Sequence, residues 1–132
     1  MSEGLHICKA LAVMFKESDE MTEEAINFVA MTALQVGLSE QENSEVQQAL
    51  KEGGDYKSSL KSIESKTGRG LFLRRMLAAV LLDEEISEKE QGLIDQALQT
   101  FDVSLQQGAE LIAWTRVGLD VEKKLVSLLA KV

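Results

Sequence analysis

The stretch Leu71–Leu82 (LFLRRMLAAVLL), followed by Asp83–Glu90 (DEEISEKE), decides the fold class. The first part is apolar almost all round apart from Arg74 and Arg75, the pattern of a helix packed on several sides. It is expected to be the core helix, at the centre of a bundle. The second part is a short acidic loop ending in Ser87 and Glu90, a capping box in which each side chain satisfies a backbone donor near the other. A new helix therefore starts there, presenting Ile94, Ala97, Leu98 and Phe101 on one face.

Working outward, the same grammar recurs. Leu5, Cys8, Ala12 and Phe15 mark a first helix; Thr22 caps a second with Ile26, Val29, Ala30 and Ala33 on one stripe, stopped by Gly37. Ser39 and Glu42 form a capping box opening a helix through Leu50, ended by Gly53 and Gly54. A short helix over 55–65 has only Tyr56, Leu60 and Ile63 to bury. Ser104 with Gln107 starts another helix containing Ala109, Ile112 and Trp114. Asp120 is expected to cap a last one, with Val121, Leu125, Leu128, Leu129 and Val132 packing inward.

The expectation is an all-α bundle of seven to eight helices in one domain spanning 132 residues, long enough to bury about two-thirds of the unfolded surface. Apolar residues make up 45% of the chain and proline is absent, which suits uninterrupted helices. Twenty-two acidic residues against 14 basic ones disfavour a nucleic-acid partner. No apolar run is long enough to cross a bilayer, and no basic segment precedes an apolar one near Met1, so the expected location is cytoplasmic. Cys8, the single cysteine, is expected to be a small buried hydrophobe.

Glu20–Glu23 (EMTE) matches Glu85–Glu88 (EISE) at a shift of 65 residues, and Leu38-Ser39 falls on Val103-Ser104 at the same shift. Ala33–Gln35 and Ala97–Gln99 align at 64 instead, as an inserted residue would produce. Two pseudo-symmetric halves, about 5–52 and 70–117, are thus expected, each an apolar helix, an acidic loop, an amphipathic helix, a turn and a third helix.

At this repeat the chain resembles the TerB-like family, named for a tellurite-resistance protein, whose members carry an Ala-Asp-Gly-x-Ile-Ser-x-x-Glu type of segment between two helices. Asp83, Ile86, Ser87 and Glu90 match it. Glu84 stands where the family has Gly, and in the first half Ser18 and Ala25 stand at the Asp and closing Glu positions. The resemblance implies an all-helical fold with pseudo-twofold symmetry, a role in stress response through protein partners, and in some relatives a cation site among the acidic loop residues.

Those loops hold Glu17, Asp19, Glu20, Glu23 and Glu24 in one half and Asp83, Glu84, Glu85, Glu88 and Glu90 in the other. Two physical readings are open. If the loops meet, Asp83, Glu84, Glu85 and Glu88 with Glu17, Asp19 and Glu20 offer the oxygen ligands that a hard divalent cation, Ca²⁺ or Mg²⁺, requires. Alternatively, Glu23, Glu24 and Glu88 simply complement helix dipoles.

An EF-hand counted from Asp83 is excluded, because Glu88 stands at the obligatory glycine and Ile94 at the twelfth ligand. His6 and Cys8 make too few ligands for structural zinc, and His6 has no triad partner in sequence. Lys66–Gly70 (KTGRG) lacks the spacing of a phosphate loop and gives only a weak anion-site signal. Lys57, Lys61, Lys66, Arg69, Arg74 and Arg75 form a basic stretch, read as a solvated face or a docking surface. No catalytic constellation emerges, and the expected function is a non-enzymatic interaction domain, with or without a cation.

Overall fold

The structure, a computed structural model, describes residues 2–81 and 85–131. Among these there are seven helices and no strand: α1 (Glu3–Glu17), α2 (Glu23–Val36), α3 (Glu40–Glu52), α4 (Tyr56–Lys61), α5 (Lys66–Val80), α6 (Glu88–Thr100) and α7 (Leu105–Leu129). The starts expected at Thr22, Ser39, Ser87 and Ser104 hold, whereas α5 begins at Lys66, ahead of the expected Leu71. Thr22, Ser39, Asp55, Ser87 and Ser104 each accept a backbone N–H three residues on, and the boxes at Ser39/Glu42, Ser87/Glu90 and Ser104/Gln107 are closed from both sides. Gly37 takes the left-handed conformation (φ 72°) that stops α2.

The centre of the bundle is α1 rather than α5. Nine of its fifteen residues are buried, against six of fifteen in α5. The stripe Leu5, Cys8, Ala12 and Phe15 covers one face, while Ile7, Ala10, Leu11, Val13 and Met14 fill the others. Helices α2, α3, α4, α5 and α6 all pack against it. Helix α5 buries Phe72, Leu73, Met76, Leu77 and Val80 but leaves Arg74 in solvent, so it is a wall of the core rather than its axis. Leu82, the last residue of its expected span, lies outside the described residues.

Aromatic side chains tie the walls together. Phe72 meets Phe101 edge to face at 6.0 Å, Phe15 meets Phe28 at 6.1 Å, and the buried Tyr56 hydroxyl donates to the Leu93 carbonyl at 3.0 Å. Tyr56, Leu60 and Ile63 are all buried, as read from sequence, although α4 has only six residues. Cys8 is fully buried, and loss of solvent pushes its thiol up to about 12.

The eighth helix does not exist as a separate element. Asp120 lies inside α7, which runs unbroken for 25 residues through Gly118. An N-cap needs extended backbone, and nothing before Asp120 halts the ladder of hydrogen bonds. The expected inward stripe is also overturned: Val121, Leu125, Leu128 and Leu129 are all exposed. Val132 lies outside the described residues.

The glycine-rich start of α5 has a structural use. Ser65 caps it, and the Glu3 carboxylate at the head of α1 accepts the backbone N–H groups of Glu64 and Ser65, both at 3.1 Å, together with the Ser65 hydroxyl. The weak anion signal at Lys66–Gly70 is thus answered by an anion of the chain itself. Gly68 makes room for it, because a Cβ there would fall inside the Glu3 carboxylate.

Hydrogen bonds from Ser65 hold the Glu3 carboxyl below its ordinary value of 4.5. Its contribution is therefore complete above that pH and is lost as pH falls through the lowered value. Gly68→Ala should destabilise the protein in urea unfolding at pH 7, even though alanine normally stabilises a helix interior by about 0.5–1 kcal/mol over glycine. In a Glu3→Ala background the same change should cost less. An equal cost in both backgrounds would refute the pairing of Glu3 with this helix start.

Candidate functional site

The first acidic turn meets the start of α6 at one end of the bundle. After α1 the chain passes Ser18 and turns through Asp19, whose φ of 58° is left-handed. The Glu20 N–H donates to the Phe15 carbonyl and the Thr22 N–H to the Glu20 carbonyl, which fixes the path into α2. On the other side α5 ends at Val80, and the chain is next described at Glu85, just before the Ser87 cap of α6.

The two sides are joined by an ion pair. Lys89, in the first turn of α6, places Nζ 2.7 Å from Asp19 Oδ2. Of the acids read as cation ligands, Glu17 is the exposed last residue of α1, Asp19 holds Lys89, and Glu20 is half-buried. Glu85 and Glu88 are exposed at the entry to α6. Asp83 and Glu84 lie outside the described residues. Among the described residues, no three Asp, Glu, His or Cys side chains come close enough together to hold a metal ion.

Behind the ion pair is a cleft of about 370 Å³. Met14, Phe15, Ala25, Phe28, Ala79 and Val80 give it an apolar lining, and Glu20, Glu24 and Glu90 supply carboxylates. Glu90 is nearly buried, and its Oε1 accepts the Ser87 N–H at 3.1 Å. A space of this size with an apolar lining and a few acids suits an apolar side chain carried beside a positive charge.

Sequence reasoning missed Lys89 and the lining residues Phe28 and Ala79. Lys89 carried a usable signal, since a cation in the first turn opposes the helix dipole and so invites the question of what it pairs with. The basic stretch is divided. Lys57, Lys61, Lys66 and Arg74 are exposed, whereas Arg69 donates to the Ile63 carbonyl at 2.8 Å and lies over the Phe101 ring. Arg75 bonds Gln35 and lies over Phe28. Comparison of the chain with family models, curated proteins and solved structures gives no significant match.

The Lys89 hydrogen bond and charge lower the Asp19 carboxyl below its ordinary 3.8, and Asp19 in turn raises Lys89 above 10.5. The contribution of the carboxylate is lost as pH falls through its lowered value, and that of the ammonium as pH rises through its raised one. The pair therefore supports the fold fully between pH 3.8 and 10.5. An NMR titration should place the Asp19 carboxyl below 3.8 and return it to the ordinary range in Lys89→Met. No change between the two proteins would break the assignment.

Proposed function

We propose that this chain is a non-enzymatic interaction domain of the TerB-like, stress-response kind, working in the cytoplasm and built from two pseudo-symmetric halves. Its cleft beside the first acidic turn receives a protein segment presenting an apolar residue beside a basic one. The observation that carries this reading is the pairing of an apolar lining with Glu20, Glu24 and Glu90 in one cleft, on a chain of net charge −8.

Selection from a random peptide library on the immobilised protein is the test. Enriched peptides should carry an apolar residue next to Lys or Arg. They should lose binding to Glu24→Lys and to Ala79→Trp, which fills the cleft, with circular dichroism showing each variant folded. Binding untouched by both changes, or enrichment without basic residues, would overturn the reading.

The approach of the first turn to the start of α6 supports a second reading, in which Ca²⁺ or Mg²⁺ is held by Asp83, Glu84, Glu85 and Glu88 with Glu17, Asp19 and Glu20. A cation bound only by the folded state raises the melting temperature by mass action. Millimolar Ca²⁺ or Mg²⁺ should then raise it in the parent and leave it unchanged in the double variant Asp83→Asn, Glu85→Gln. Equal responses would leave the cleft reading alone.

A further inference from the structure

Among the described residues, α7 is covered only between Gly108 and Leu119. Gly108 is buried, its bare Cα set against Leu98, and Ile112, Thr115 and Leu119 are half-buried on the same side. From Asp120 to Lys131 every residue is exposed. Yet the exposed side of α7 is not polar along its length. Leu111, Trp114, Gly118, Val121, Leu125 and Leu128 follow one another at alternating steps of three and four residues, the a/d spacing of a two-stranded coiled coil.

At 100° per residue this seam lies roughly 120° around the helix from the side that meets the bundle, so both can be occupied at once. Trp114 is 73% exposed, Val121 62%, Leu125 54% and Leu128 52%. Taken with Leu111 and Val117 at ordinary side-chain areas, these exposures leave roughly 600 Å² of apolar surface per copy in water. That is at the top of what a monomer carries and about three-quarters of the ~800 Å² each partner of a standard interface covers.

We infer that this seam binds α7 of a second copy of the chain, antiparallel, forming a twofold homodimer. The register stacks Leu111 on Leu128 of the other copy, Trp114 on its Leu125, and Gly118 on its Val121. A Cβ at Gly118 would meet nothing within 4 Å, so the space beside it is open to the incoming helix. Charge chooses the direction. In the antiparallel register Glu110 flanks Lys131 of the other copy at both ends, and Val117 lies along the stem of its Lys124. The parallel register sets Val117 against Glu122 and Lys124 against Leu129, with no opposite charges facing.

The net charge of −8 does not oppose this contact, because 105–131 carries four basic and three acidic residues: Arg116, Lys123, Lys124 and Lys131 against Glu110, Asp120 and Glu122. The inference concerns a different surface from the cleft and stands independently of it.

Sedimentation of the full chain across micromolar concentrations should give twice the 14.5 kDa mass, and Leu125→Glu should give the single mass with an unchanged circular dichroism spectrum. Direction is read by oxidising variants that each add one exposed cysteine, the buried Cys8 staying silent. Leu111→Cys and Leu128→Cys should crosslink to each other when the two proteins are mixed, and neither to itself. A monomer at every concentration overturns the dimer, and self-crosslinking of each variant overturns the antiparallel register. A monomer that binds phosphatidylcholine–phosphatidylglycerol vesicles, with the binding lost in Leu125→Glu, replaces the second copy with a membrane surface.

Discussion

Helix α1 carries apolar side chains on every face, and a helix of that kind is stable only when it is surrounded. Leu5, Leu11, Met14 and Val13 point in different directions and are all almost completely buried. Five other helices take their positions from this need, each offering a stripe to one side of the axis. Small residues on α1, Cys8, Ala10 and Ala12, let its neighbours come close without leaving voids. The arrangement leaves α7 outside the inner circle, where it meets α5 along its first half.

The ends of α1 are anchored as carefully as its sides. At its head, Glu3 reaches across to the start of α5 while the Ser2 hydroxyl donates to Glu42 in the capping box of α3. At its tail, Asp19 meets Lys89 at the start of α6. In each case a charged or hydroxyl group near α1 meets the beginning of another helix, where backbone donors are unsatisfied or the dipole favours an anion. The cleft lies beside the tail anchor, so its carboxylates are set by the same packing that closes the core.

What could be read in the sequence was what depends on neighbours a few residues away. The boxes at Ser39, Ser87 and Ser104 each join two side chains three positions apart, and all three close as expected. Asp120 misled because it had half a signal: Lys123 stands where a reciprocal Glu or Gln would be, and Gly118 is tolerated within a long helix. Glu3 with Ser65 and Asp19 with Lys89 join residues more than sixty positions apart, and no local pattern reports such pairs. The central place of α1 was hidden for a related reason, since an apolar stripe on one face satisfies the helix pattern whether or not the other faces are also covered. Of the acidic clusters, the sequence revealed their charge and their place before helices, but not that Lys89 would pair with Asp19 of the first.

The surrounded helix also precedes every helix that covers it. During synthesis α1 leaves the ribosome before anything that will cover it, and at about 5–20 residues per second the last of its walls, α6, follows seconds later. For that interval the most buried helix of the protein has only α2 to α5 for shelter. The fold thus leaves its most buried helix partly uncovered while the later walls are being made, when a binder of apolar segments would find α1 before the rest of the bundle does.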